Sequence, residues 1–287
     1  MMASVLLERA CATNTITHQV RLSGGSNESV ARACRRTMAE IRGGATVAPR
    51  TLFSPPTATQ VVAIDRFCLD RTEVTVERYA RCVALGECAS ARMLGADEEA
   101  AGASVDVLRL CNAAEGRLRH PINCVTADDA AAFCAFEGGR LPTDIEWACA
   151  AGGCGSAHFP WRDGELSAER ANLYDLDAVD RFGNDLFTVT DFQWRDGWYG
   201  TSPVGSFLRG RSRDGVDDLE GNVAEFVAPT DTSGCTWARI GSDWGSSMRA
   251  QTGGPSFHLA CIARVDAWDT SFGFRCASDL HDRRDGQ

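Results

Sequence analysis

Thirteen cysteines in a chain of 287 residues constrain this sequence more than any other feature. In a reducing compartment so many thiols are a liability unless they hold a metal. Their spacing does not suit one. No C-x-x-C pair occurs, and only five histidines are present, whereas structural zinc sites draw on close Cys and His pairs. Cys82 and Cys88 flank Gly86, and Cys111 and Cys124 flank a polar stretch, as expected of a disulfide framework in an oxidising compartment. The chain is therefore expected to be exported, to a periplasm or the cell exterior. The odd count leaves one cysteine over, with Cys11 the candidate. The opening, MMASVLLERACATNT, has an apolar run too short for a secretory core and broken by Glu8 and Arg9. Export by another route, a start further upstream and a cytosolic location thus all stay open. No segment approaches the length of a membrane span.

Length and composition suit a soluble domain. Hydrophobic residues make up 44% and charged residues 24%, enough for a sizeable core. The net charge of −10 is spread along the chain and excludes the basic footprint of a nucleic-acid binder. A monomer is expected. Gly, at 28 residues, points to frequent turns.

Residues 1–37 carry little pattern and read as a leader or poorly ordered arm, with a single domain over 38–280 and a polar tail over 281–287. MAEIRGG from Met38 predicts a short strand closed by Gly43 and Gly44, and VVAIDRFCLD (61–70) predicts another. Thr75 can cap a helix reaching Leu85, with Gly86 as its stop. Thr126 with Asp129, and Thr143 with Glu146, mark two further helix starts of capping-box type, running to Glu137 and Gly152. Beyond 155, short apolar runs alternate with Gly, Asp, Asn and Ser, and the second half reads as loop-rich.

Several runs occur in the order found in one family. IRGG (41–44) is similar to an opening I-P-G-G, and FCLDRTEVT (67–75) to F-x-x-D-x-x-E-V-T. HPINCVTADDAAAFCAFEGGRLPTDIEWACAAGG (120–153) is similar to a stretch ending G-x-R-L-P-T-E-A-E-W. FPWRDG, the Ala171–Asn172 pair, TSPVGSF, LEGNVAEF and FGFRCA follow. The chain thus resembles the formylglycine-generating enzymes, or sulfatase-modifying factors, over most of 38–277. The resemblance implies an α+β, loop-rich fold similar to C-type lectins, with a few short helices and short antiparallel strands, often braced by disulfides and calcium.

Members of that family oxidise a sulfatase cysteine to formylglycine with oxygen, using a cysteine pair that binds copper(I), a soft metal suited to thiolates. The matching segment here is RIGSDWGSSMRAQTGGPSFHLACIAR (239–264). Ser242 matches the family serine, but the two cysteine positions fall on Gly245 and Ala250, neither able to hold copper, and a family Trp is replaced by Ala224. The resemblance further implies a Cys134–Cys276 bridge, and pairs Cys261 with a cysteine beyond the E-W helix, for which Cys149 and Cys154 are the candidates. It implies calcium at Asn172 and Asp196, and a second site at Asp218 and Glu225 with Asn222 between them; oxygen ligands on loops suit that ion. His258, in the run SFHLAC, reads as packed rather than as a base for Cys261. The expected function is a non-catalytic binding or accessory module for a protein or other ligand. The alternative is an oxidoreductase converting a protein cysteine to formylglycine. A third reading is a different chemistry built on Ser242, Arg249 or Arg264.

Overall fold

A computed structural model describes residues 32–47, 50–51, 61–92, 109–155, 159–161, 164–183, 192–230, 235–246, 258–262, 264 and 266–282. Cys11, Arg249 and Ala250 lie outside them, as does most of the expected 1–37 arm.

Local chemistry sets the helices. Helix α1 (Val76–Ala84) starts where the Thr75 hydroxyl accepts the Arg78 amide, at 3.2 Å. Helices α2 (Ala127–Phe136) and α3 (Asp144–Gly152) both open on reciprocal boxes, Thr126 with Asp129 and Thr143 with Glu146. Each such cap is worth about 1 kcal/mol. Helix α3 stops at Gly153 in the left-handed conformation, which only Gly adopts without strain. Helix α4 (Leu176–Phe182), capped by Asp175, lies in the half whose sequence shows no periodic run.

The strands are short and fall into four small sheets. Strands β4 (Arg50–Thr51), β7 (Ala224–Val227), β8 (Ala238–Ile240), β9 (His258–Cys261) and β10 (Phe272–Gly273) form one sheet in the order β10-β7-β8-β9-β4. Its outer pairs β10·β7 and β9·β4 are parallel, the inner ones antiparallel. Strands β2 (Met38–Ile41), β6 (Phe67–Asp70) and β11 (Ala277–Ser278) form an antiparallel sheet in the order β11-β6-β2. Strand β3 (Gly44–Val47) pairs with β5 (Val61–Ile64). The expected single strand over 61–70 is thus two, parted at Asp65–Arg66, because β5 and β6 serve different sheets. Gly43 makes the step from β2 to β3 possible: at φ 69°, a Cβ there would sit 2.4 Å from the Ile64 carbonyl oxygen.

Order extends past the expected domain limits of 38 and 280. Strand β1 (Arg32–Ala33) pairs with β12 (His281–Asp282), and the Cys34–Cys68 bond ties this end to β6. The described residues hold five further disulfides: Cys82–Cys88, Cys111–Cys124, Cys134–Cys276, Cys149–Cys154 and Cys235–Cys261. Cys134–Cys276 spans 142 residues, and the chain-entropy model gives such a crosslink roughly 5 kcal/mol. The expected partners of Cys261 are corrected. Strand pairing sets Cys261 opposite Ala238 and brings Cys235 to it, while the turn at Gly153 folds Cys154 back onto Cys149.

Two larger apolar clusters, and two smaller ones around Trp244 and Phe192, fill the interior of the described residues. One gathers Tyr79, Phe133 and Phe274 around the Cys134–Cys276 bond, with Tyr79 stacked on Phe133 at 5.5 Å and Phe274 edge-on to Phe133 at 5.6 Å. The other packs Trp147 of α3 against Leu69, Ile240 and Leu259. Between the helices and the sheets runs a buried ion pair. The Arg275 guanidinium, wholly buried, donates from Nε to Glu225 Oε2 at 2.8 Å and from Nη2 to Oε1 at 2.6 Å. It also donates to the main-chain oxygens of Asp70 at 3.2 Å and Asp217 at 3.0 Å. Trp147 Nε1 donates to Glu225 Oε2 at 2.9 Å. Removing one partner strands the other charge in the interior, so Arg275→Leu is expected to cost roughly 3–5 kcal/mol. Chemical denaturation measures it, and a loss below about 1 kcal/mol, the range of exposed pairs, would show the pair to be peripheral.

Candidate functional site

Asn172, Asp218, Asn222 and Ser242 gather where the turn at 218–222, the turn at 242–246 and the stretch from Asn172 meet. Three consecutive backbone features make the first turn: Asp218 at φ 55°, Gly221 at φ 82° and Asn222 at φ 60°. Gly221 cannot be replaced without collision, since a Cβ would lie 2.2 Å from the Asn172 carbonyl oxygen. The same close approach lets the Asn222 amide donate to that oxygen at 2.9 Å.

Asn222 is the junction of a buried polar network. Its Oδ1 accepts from the Ser202 amide at 2.9 Å and Asn172 Nδ2 at 3.2 Å, and its Nδ2 donates to Glu73 Oε1 at 2.9 Å. Asp218 Oδ2 accepts the Gly205 amide at 2.5 Å. Burial holds the Glu73 carboxyl well above the usual carboxylate range, and the neighbouring Asp218 adds to it. Asp218 itself is pushed up to about 6 by burial. Glu73 is a member that the sequence did not single out, although it stands in the E-V-T run. Of the residues expected to hold a second calcium, Glu225 instead spends both oxygens on Arg275 and Trp147.

Ser242 is buried; its Oγ donates to Glu220 Oε1 at 2.7 Å and accepts the Gly221 amide at 2.7 Å. Trp244, also buried, donates its amide to the Asn222 carbonyl at 3.0 Å. The Gly245 amide donates to Asp243 Oδ1 at 2.9 Å. Arg264 does not join this group: it is exposed and ion-paired with Asp266 at 2.8 Å. Ala224, where the family has Trp, is wholly buried in β7.

Asn172 and Asp196 come together through the intervening backbone. Asp196 Oδ2 accepts the Leu173 amide at 3.0 Å and Oδ1 the Trp198 amide at 2.8 Å. Asn172 is buried, donates from Nδ2 to the Gly200 carbonyl at 2.9 Å, and leaves Oδ1 without a hydrogen-bond partner. Asp175 and Asp177 add carboxylates, and one oxygen from each of Asp175, Asp177 and Asp196 lies within 4.8 Å of the others. The Asp196 carboxyl is pushed up to about 7 by burial and then by the Asp175 charge. Asp177 is partly neutralised by Arg195, at 2.7 Å. A surface cavity of about 380 Å³ opens beside Asp196, with Glu169, Trp198, Phe207 and Arg209 in its wall.

Glu220 offers a test of this interior. Burial raises its carboxyl to about 7, above the range it keeps in an unfolded chain. The folded state therefore binds the proton more tightly, and the contribution of Glu220 to stability falls as pH rises from about 4.5 to about 7. Glu220→Gln is expected to remove that part of the decline. Melting midpoints of parent and variant across pH 4.5–8 measure it, and parallel curves would refute the raised pKa.

Comparison with known proteins agrees with this arrangement. A model of the sulfatase-modifying factor enzyme 1-like domain matches residues 4–280. The inactive C-alpha-formylglycine-generating enzyme 2 of Mus musculus is 33% identical over 172 residues, 56% of this chain and 50% of that protein. The formylglycine-generating enzyme of Mycobacterium tuberculosis is 29% identical over 186 residues, 57% of this chain and 58% of that one. The chain thus spans 50–58% of the length of these relatives. Among solved structures, PvdO from Pseudomonas aeruginosa superposes with a TM-score of 0.55 at 23% identity, over 85% of this chain and 94% of that one. Treponema denticola variable protein 1 gives a TM-score of 0.55 at 16% identity, over 84% and 94%. These likenesses carry the α+β fold, and the family match runs almost from end to end: the chain belongs to the sulfatase-modifying factor enzyme 1-like family.

Proposed function

We propose that this chain is a non-catalytic member of its family, an exported module that binds a protein or other ligand. The observation that carries the reading is the loss of both thiolates. Gly245 and Ala250 offer no donor for a soft metal, and the twelve cysteines in the described residues are all joined in disulfides. The residues therefore do not fit copper. Twelve crosslinked cysteines support an oxidising compartment; among the described residues, no helix is long and apolar enough to cross a membrane. The relatives include both a protein named inactive and proteins named formylglycine-generating enzyme, so thiol oxidation is the rival reading. Incubation of the pure protein with copper and a sulfatase-type cysteine peptide tests it. No aldehyde above the protein-free control is expected; protein-dependent aldehyde would establish the oxidase reading instead.

We further propose calcium as a structural ion at Asn172 and Asp196, with Asp175 as an added ligand. The unpartnered Asn172 Oδ1 and the cluster of three carboxylates support a hard cation, and a cation would offset the burial and, after it, the Asp175 charge that raise Asp196. The Asp218–Glu225 site is less well supported, because Arg275 already neutralises Glu225. At a hundred times its dissociation constant an ion that ignores the unfolded chain stabilises by about 2.7 kcal/mol, a midpoint shift of roughly 5–10 °C for a domain of this size. Melts in millimolar calcium and in chelator should differ by that amount, and Asp196→Asn should abolish the difference. Equal midpoints for the parent protein would rule out the ion.

A further inference from the structure

Six crosslinks of one chemistry differ sharply in access. In Cys34–Cys68, Cys82–Cys88, Cys111–Cys124, Cys134–Cys276 and Cys149–Cys154 at least one cysteine is buried. In Cys235–Cys261 neither is: Cys235 is half-buried and Cys261 exposed. Thiol–disulfide exchange needs a thiolate to reach a sulfur, so access ranks the bonds.

The place of this bond in the sheet gives its breakage a local meaning. Strand β8 is held on one side by three residue pairs to β7, from Glu225 opposite Ile240 to Val227 opposite Ala238. On its other side β9 is held by two, Ala238 opposite Cys261 and Arg239 opposite Ala260, plus the Ile262 amide to the Trp237 carbonyl at 2.9 Å. Among the described residues, β9's other neighbour in the sheet is the two-residue β4. The Cys235–Cys261 bond is therefore the covalent fastening of the outer half of the sheet. The turn at 242–246 has its own anchors, through Ser242 to Glu220 and Trp244 to Asn222.

We infer that Cys235–Cys261 is a reducible strap, opened by a dithiol while the other five bonds stay closed, and that its state sets how firmly β9 is held to β8. The thiolate of the dithiol attacks Cys261 Sγ, on the exposed residue of the pair. The Cys235–Cys261 bond breaks as a mixed disulfide forms on Cys261, and Cys235 leaves as a thiolate. The second thiol of the reductant then displaces Cys261, so the dithiol becomes a disulfide and passes two electrons to the protein. Cys235 and Cys261 end as thiols with one proton each. The inference does not depend on which ligand the module binds.

Two measurements decide it. The native protein is titrated with dithiothreitol, quenched in acid, alkylated and mapped by peptide mass spectrometry. Cys235 and Cys261 should become alkylated at a reductant concentration at least tenfold below that needed for any other pair, an order-of-magnitude expectation from access alone, roughly set. Prior opening of another bond, or joint opening of all six, overturns the inference. Hydrogen exchange is then followed in the selectively reduced protein and in Cys235→Ser/Cys261→Ser. Amides of 258–262 should exchange about tenfold faster or more, while those of 224–227 keep their protection. Unchanged exchange at 258–262 would show that the bond fastens nothing. If the double variant does not fold, the reduced parent protein alone carries the reading.

Discussion

The pair between Arg275 and Glu225 is the constraint on which the rest depends. A guanidinium taken wholly out of water must find a carboxylate and several carbonyls at once. Here those acceptors come from β7, from the end of β6 and from the turn at 217–218. Three parts of the chain far apart in sequence are thereby set at fixed distances from one side chain. Trp147 extends the arrangement into α3 by donating to the same carboxylate. A chain with strands of two to four residues has few ladder hydrogen bonds to hold it, and a buried network of this kind supplies direction that short sheets cannot.

Disulfides complete the scaffold from the outside. Cys134–Cys276 fastens α2 to the residue next to Arg275, so the longest crosslink and the buried ion pair act on the same point. Cys34–Cys68 ties the stretch at 32–34, which the sequence alone would leave as an unpatterned arm, to β6. The loop-rich half from 192 to 246 is then held by polar contacts rather than by helices, through Asn222, Ser242 and Asp196.

The turn at 242–246 is held by contacts of its own. Gly245 sits in a well-made turn, its amide bonded to Asp243, and the neighbouring Trp244 and Ser242 are buried and hydrogen-bonded. A surface cavity of about 380 Å³ lies nearby, beside Asp196 and Trp198.

The sequence by itself determined the helix starts at Thr75, Thr126 and Thr143, and the family. Capping boxes are local, made by residues three apart, so Thr126 with Asp129 and Thr143 with Glu146 were legible without any tertiary knowledge, and the ordered motifs from IRGG to FGFRCA named the fold. It also placed Gly245, a residue without a donor side chain, where the resemblance leads one to expect a cysteine. Tertiary structure decided what depends on distance across the chain. Strand pairing gave Cys261 to Cys235 and left Cys149 to Cys154, and the split of 61–70 into two strands followed from two separate sheets. It also decided which carboxylates are already neutralised. Asp218, Asn222 and Glu225 look like one ligand set along the chain, but Arg275, fifty residues from Glu225, occupies the last of them. Asp196 has Asp175, 21 residues earlier, as a neighbour, its amide donating to Asp175 Oδ2 at 2.5 Å. Charge compensation in an interior is a matter of three-dimensional proximity, which sequence spacing does not carry.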